Sequence, residues 1–194
     1  MGTVQPAPGR VEVIAGPMFA GKTEELLRRV RRAVIAGLRV EVLTHALDTR
    51  DGEDRVSSHA GLAYPSLRVG SAAEILAAVG TDVDVVAIDE AHFFGPGLVE
   101  PVGMLAARDL AVVVAGLDVT FAGRPFEPMP SLMALAERVD KLTAICTICG
   151  AEAIFHERVA PASASEVDLV PEHVGGSDMY QARCRRHFAR SAVG

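Results

Sequence analysis

Eight residues constrain this chain more than any others: Gly16-Pro17-Met18-Phe19-Ala20-Gly21-Lys22-Thr23. They fit the spacing G-x-x-x-x-G-K-[ST] and stand between an apolar run at 11–15 and a segment of helical period. A strand, a glycine-rich turn and a helix in that order form a phosphate cradle. The glycines let backbone N–H groups turn inward, and the helix start adds partial positive charge. In such a loop Lys22 reaches the β- and γ-phosphates of a nucleotide, and the Thr23 hydroxyl binds Mg2+. Lysine occurs only at Lys22 and Lys141, every other basic residue being Arg. A lysine kept at position 22 suits a site that needs a compact point charge.

A loop of this kind needs a parallel sheet around it, and the pattern supplies one. Residues 24–36 have helical period, with Leu26, Leu27, Val30 and Val34 on the apolar side and arginines opposite, and Gly37 stops them. Near-continuous apolar runs predict strands at 11–15, 39–44, 83–88, 110–115 and 141–146. Helices are expected at 72–79, with Ser71 as N-cap and Glu74 three residues on, at 98–108 and at 131–138. Residues 49–61 and 116–130 read as loops, and 154–159 as a further strand. Strands alternating with helices, each strand apolar on both sides, imply an α/β fold whose parallel sheet is covered on both faces. A change of character near residue 145 divides the expectation into a nucleotide-binding domain, 1–145, and a small subdomain, 146–194.

Composition narrows the class. With 49% of 194 residues hydrophobic, a sizeable core is available and global disorder is excluded. The net charge of -6 argues against a chain that lives on nucleic acid, whose phosphates select a basic surface. No run reaches the ~18 apolar residues of a membrane span. The first eight residues show no basic-then-apolar leader, so a cytoplasmic location is expected.

Residues 85–89, Val-Val-Ala-Ile-Asp, place an acid at the end of a buried strand, which is where such enzymes keep their second Mg2+-holding group, so Asp89 takes that role. Glu90 follows it. In a motor ATPase this glutamate polarises water; in a kinase it accepts the proton of a substrate hydroxyl. Asp89-Glu90-Ala91-His92 also spells the DEAH of a helicase. A helicase closes ATP between two lobes, and the roughly 100 residues after Asp89 complete one sheet but not a second lobe. His92 then stands alone after a strand, a setting more often supporting or solvent-facing than ligating.

Cys146-x-x-Cys149 and Cys184-x-x-His187 are two chelating pairs. Three thiolates and one imidazole make a closed tetrahedral Zn2+ site, structural because no position is left open. His45, His59, His156 and His173 show no ligand spacing. Phe93, Phe94, Phe121, Phe126 and Tyr180 sit in expected loops, where they either line a pocket for a nucleobase or close the core beneath. Gly175 and Gly176 invite a flat ligand to the backbone.

Taken in order, G-P-M-F-A-G-K-T-E-E-L, A-L-D-T-R (46–50), S-S-H-A-G (57–61), I-D-E-A-H-F-F, G-L-D-V-T-F-A-G-R-P-F (116–126), L-M-A-L-A-E, K-L-T-A-I-C-T-I-C-G, V-G-G-S-D-M-Y and C-R-R-H resemble the type II thymidine kinases, the cytosolic tetrameric kind, from about Val11 to His187. The resemblance implies a RecA-like P-loop domain and a zinc-binding subdomain carrying a lasso loop over the base. It implies ATP, Mg2+ and structural Zn2+, thymidine as acceptor, thymidine triphosphate as inhibitor, and a homotetramer without nucleic-acid or membrane partners. By the same resemblance Glu90 is the general base and Asp89 and Thr23 hold Mg2+. Lys22, Asp48, Arg50 and Arg158 lie about the transferred phosphate, with His92 in the nucleotide set. Met18, Phe93, Leu117, Phe121, Phe126 and Tyr180 line the thymidine pocket, and the backbone of Val174, Gly175 and Gly176 reads the thymine edge. The chain departs from the family pattern at His92, where Gln is usual, and at Thr44, Ala122, Glu127 and residues 171–173.

Overall fold

β1 (Arg10–Gly16) sends Val11, Val13 and Ala15 to one face of a sheet and Ile14 to the other, as the period of two requires. The computed structural model describes residues 9–48, 55–57, 63–159 and 179–188. After β1 come α1 (Lys22–Ile35), β2 (Val40–His45), a short hairpin of β3 (Arg55–Ser57) and β4 (Ala63–Pro65), and β5 (Leu67–Val69). A 3-10 turn and α2 (Ile75–Ala78) lead to β6 (Val85–Ile88). Two more 3-10 turns precede α3 (Val99–Ala106), β7 (Ala111–Leu117), α4 (Met129–Leu135) and β8 (Arg138–Lys141). The remainder is two small antiparallel pairs, β9 (Ala144–Ile145) with β10 (Glu152–Ala153), and β11 (Phe155–Arg158) with β12 (Tyr180–Arg183).

The main sheet has six strands in the order β5-β2-β6-β7-β1-β8, every neighbouring pair parallel. Alternation in β1, β6 and β7 divides the core in two. Val13, Val86, Ile88, Val112 and Val114 face α2, α3 and α4, whereas Ile14, Val85, Ala87, Val113 and Ala115 face α1. The helices thus cover both faces, as the apolar strands require. Among the described residues no helix is long and apolar enough to cross a membrane.

Several boundaries differ from the sequence reading, each for a physical reason. The strand expected at 141–146 is instead β8, a half-exposed edge strand of charged and polar residues that no apolar run reveals. The apolar residues after it belong to β9 and the small second core. β5 adds an unexpected sixth strand, three residues long. Part of the expected 49–61 loop, Arg55–Ser57, is a strand whose Val56 is buried on the α1 side. At 72–79 the helix is a 3-10 turn followed by one turn of α-helix. Ser71 does not cap it; Glu74 reaches back to the Ser71 hydroxyl and the Gly70 N–H. The helix expected at 131–138 starts earlier and ends sooner, at Met129–Leu135.

The arginine face of α1 has one structural member. Arg29, its side chain 10% exposed, donates to Glu12 of β1 at 2.7 Å, to Glu25 of its own helix at 2.9 Å and to Asp140 of β8 at 2.5 Å. One guanidinium therefore joins the helix to two strands. Glu25 is held down at about 2, first by its hydrogen bond to Arg28 and then by Arg29, against the effect of burial. Arg29→Ala leaves three carboxylates facing one another and is expected to lower the unfolding free energy by about 3 kcal/mol. Arg28→Ala, which removes an exposed pair, should cost less than about 1 kcal/mol. Urea denaturation of both variants checks this, and equal losses would contradict the assignment.

Candidate active site

The P-loop joins β1 to α1 at the carboxyl end of the sheet, where α/β folds bind ligands. Gly16 has no alternative residue, since a Cβ there would stand 2.7 Å from the Leu142 carbonyl oxygen. Gly21 sits at φ +78, a left-handed conformation that lets the loop curl its N–H groups inward. Phe19 adopts positive φ without being glycine and stands 47% exposed at the tip. Lys22 is buried, and its ammonium donates to the Pro17 carbonyl at 2.8 Å, within the loop itself.

Asp89 leaves β6 two strands away, and its carboxylate reaches back. The Thr23 hydroxyl donates to Asp89 Oδ2 at 2.9 Å, and the Glu90 N–H donates to Asp89 Oδ1 at 2.9 Å. A hydroxyl and a carboxylate in contact at a phosphate loop are the hard oxygen donors that Mg2+ accepts. Glu90 is buried and holds φ +49, ψ +42, in the left-handed region. For a non-glycine residue this costs of the order of 1–3 kcal/mol and persists where the surroundings demand it. Its Oε2 lies 3.4 Å from Nδ1 of His92.

His92, expected as a supporting or solvent-facing residue, is buried in this site, as the first of those alternatives has it. Its Nδ1 accepts the Leu117 N–H at 3.3 Å, which puts the ring hydrogen on Nε2 in the neutral form. Its ring lies 4.3 Å from Phe93 and 5.1 Å from Phe126. Glu90, His92, Phe93, Leu117 and Phe126 are thereby brought together. Phe93 and Phe94 belong to a 3-10 turn rather than an open loop, and His45 packs edge-on to Phe94 at 4.6 Å. Burial lowers the His45 imidazole, and its Nδ1 accepts the Leu47 N–H in the turn leading to Asp48. Phe121 lies in the turn after β7, described below. Arg50, Val174, Gly175 and Gly176 lie outside the described residues.

The β11–β12 hairpin sets Arg158 opposite Tyr180. It also brings in a residue that sequence reading missed. His156 is 2% exposed, accepts the Met18 N–H at Nδ1 (3.5 Å), and meets Tyr180 edge-on at 5.8 Å. No spacing pattern could reveal it. Its neighbours come from the P-loop and from a strand 24 positions on, joined to it only by antiparallel pairing.

Below this hairpin, Cys146, Cys149, Cys184 and His187 present ligand atoms all within 4.8 Å of one another. Cys149 Sγ lies 3.8 Å from Cys184 Sγ, and His187 Nδ1 lies 3.4 Å from Cys184 Sγ. A tetrahedron with Zn–S bonds of ~2.3 Å has S–S edges of about 3.8 Å, so the set fits Zn2+. Cys146 is held down at about 5, mainly by the Cys184 N–H, with the N–H groups of Ile148 and Cys149 and the His187 ring adding to it. A thiol that readily becomes thiolate is what the metal needs. Ala20 of the P-loop packs on the small core around Cys146 and Cys184. Arg183 ties the hairpin to the same unit through Glu157, Thr147 and Gln181.

A glycine-rich phosphate loop on a parallel sheet, an acid pair at the neighbouring strand end and a Cys3His knuckle define a P-loop nucleotide-binding α/β protein. Residues 9–188 match the thymidine kinase family model, and the chain belongs to that family. It is 49% identical over 186 residues to the thymidine kinase of Halobacterium salinarum, covering 94% of this chain and 95% of that one. To the thymidine kinase of Deinococcus deserti it is 46% identical over 189 residues, covering 92% and 94%. Domain III of the Thermotoga maritima replication initiation protein DnaA aligns with a TM-score of 0.41 and 14% identity over 70% of this chain and 56% of that chain, too weak a likeness to carry an argument.

Burial pushes the His156 imidazole down to about 3, with the Lys22 charge and His92 adding to the effect. Below pH ~6.5 the unfolded chain takes up a proton there that the folded chain refuses until about pH 3. The neutral ring's contribution is therefore fully present above pH ~6.5 and is lost as pH falls from there towards 3. Between pH ~7.5 and ~5 the wild type should lose about 2 kcal/mol more stability than His156→Gln. Urea unfolding at each pH measures this, and parallel pH curves would contradict it.

Proposed function

We propose that this chain transfers the γ-phosphoryl group of ATP to the 5′-hydroxyl of thymidine, giving thymidine monophosphate and ADP. The observation that carries the reading is Glu90. It is buried and held in a left-handed backbone, between the Thr23–Asp89 pair on one side and His92, with Phe93 and Phe126 against it, on the other. Phosphate machinery and a cluster of tilted aromatic rings meet at one carboxylate, as suits a kinase acting on a nucleoside. The membership of the thymidine kinase family selects thymidine as that nucleoside.

In this reading the 5′-oxygen attacks the γ-phosphorus, the bond to the β,γ-bridging oxygen breaks, and the hydroxyl proton passes to Glu90. Thr23 and Asp89 would hold Mg2+, which when bound offsets phosphate charge. Lys22 turns from the Pro17 carbonyl to the β- and γ-phosphates. Arg158 and Arg50 supply further positive charge, and the family resemblance assigns Asp48 to the same group. Phosphoryl transfer asks a protein mainly for alignment and charge, and this set supplies both. Met18, Phe93, Leu117, Phe121, Phe126 and Tyr180 enclose the acceptor, and Val174, Gly175 and Gly176 read its base. The knuckle holds Zn2+ as a structural ion. The family resemblance further supports thymidine triphosphate as a feedback inhibitor, a homotetramer, nucleoside salvage as the role and the cytoplasm as the place.

The test is incubation of the protein with ATP, Mg2+ and labelled thymidine, deoxycytidine or deoxyadenosine, beside Glu90→Gln. Thymidine monophosphate should form alone. In the variant, kcat should fall by roughly 10²- to 10⁴-fold, the usual worth of a general base, while nucleotide binding survives. Hydrolysis of ATP that rises with added DNA or RNA, with no monophosphate formed, would replace this reading with that of a nucleic-acid-driven ATPase.

A further inference from the structure

The last described residue, Phe188, follows a metal ligand and is held by another. Its N–H donates to the Cys184 carbonyl at 3.0 Å, beside that of His187 at 3.0 Å, so both groups hang from one tight turn. The ring does two things. One face stacks on Phe155, centroids 4.3 Å apart and planes 14° from parallel, and Arg185 lies 5.4 Å from the Phe155 centroid. The ring edge meets Gly123 so closely that a Cβ there would stand 2.6 Å from Cε1 and 3.0 Å from Cζ.

Gly123 belongs to the turn between β7 and α4. Thr120 donates to the Arg124 carbonyl at 2.8 Å, Gly123 donates to the Thr120 carbonyl at 2.9 Å, and Val119 bridges Pro125. The turn carries Phe121 at its tip. Its closing Phe126 donates to the Asp118 carbonyl and sets its ring 5.1 Å from His92. A surface turn of this length is a naturally mobile part of a fold. Here it presents two aromatics that must keep their places against a flat base. The residue under the ring is glycine at φ +73, so the contact falls on backbone and moves the turn as a unit.

We propose that Phe188 is a positioning residue for the acceptor pocket. By resting on Gly123 it fixes the Asp118–Phe126 turn, and with it Phe121 and Phe126, to the metal knuckle. Its role is to hold those aromatics in register with His92 and Glu90 before the nucleoside arrives. This rests on the reading of thymidine as the acceptor.

Three variants test it: Phe188→Ala, Phe188→Tyr and Gly123→Ala. The last presses on the same contact from the opposite side and, at φ +73, strains the turn itself as well, while changing no residue of the knuckle. Bound zinc, KM for thymidine, KM for ATP, kcat and the equilibrium Kd for thymidine are measured for each. Phe188→Ala and Gly123→Ala should each raise KM and Kd for thymidine by roughly 5- to 20-fold, since small misplacements of orienting groups are costly. KM for ATP and zinc content should stay within about twofold, Phe188→Tyr should match the wild type, and the double variant should be no worse than the worse single one. Thymidine constants within twofold of wild type in Phe188→Ala overturn the proposal. So does a joint rise of both KM values with loss of zinc, which would make Phe188 a support of the knuckle only. Wild-type protein that binds no thymidine overturns the acceptor reading itself, and this inference with it.

Discussion

The hydrogen bond from Thr23 to Asp89 is the point on which the site turns. It joins the first turn of α1 to the end of β6, passing over β7, and it exists only because three strands keep register. Ile88, Val114 and Val13 stand in one row across β6, β7 and β1. Asp89 begins one residue beyond that row and the phosphate loop three residues beyond it. The row is fully buried, so slipping one strand by a residue would turn its apolar side chains to the wrong face. Core packing thereby fixes the distance between hydroxyl and carboxylate more firmly than the bond could fix itself.

The second constraint comes from the other side of the loop. The Leu142 carbonyl presses on Gly16 and the knuckle core presses on Ala20, so the P-loop is held at its start and near its end by the segment leading into the cysteines. A Cys3His set that fits Zn2+ would be a compact way to stiffen a region with so few large apolar residues, because ligation would replace a core that the sequence does not provide. The β11–β12 hairpin, braced by Arg183, then carries His156 to the loop, with Arg158 and Tyr180 paired on the same hairpin.

The phosphate loop, the strand ending at Asp89 and the metal ligands were legible in the sequence because each is a local pattern with one physical cause. The sheet's central strands were legible because both of their faces are buried. β5 and β8 were not: one is three residues long, and the other is an edge strand whose polar side chains resemble a loop. The settings of His92 and His156 were left open for a different reason. A histidine's value depends on what its two nitrogens meet, and the Leu117 and Met18 N–H groups reach them only through tertiary packing. The proposed acceptor residues could be named only by resemblance, since aromatics in loops carry no spacing signal. Arg50 and residues 174–176 fall outside the described residues.

The left-handed backbone at Glu90 has a consequence for how this protein can change. Glycine or asparagine would adopt the same backbone angles at position 90 with less strain. With each kcal/mol worth roughly 2–4 °C of melting temperature in a chain of this size, relief of that strain is visible to any selection on heat tolerance. Sequences propagated under thermal selection alone would drift at position 90 towards residues that cannot take a proton. If Glu90 is the base proposed above, its presence at this position reflects selection for turnover against the preference of its own backbone.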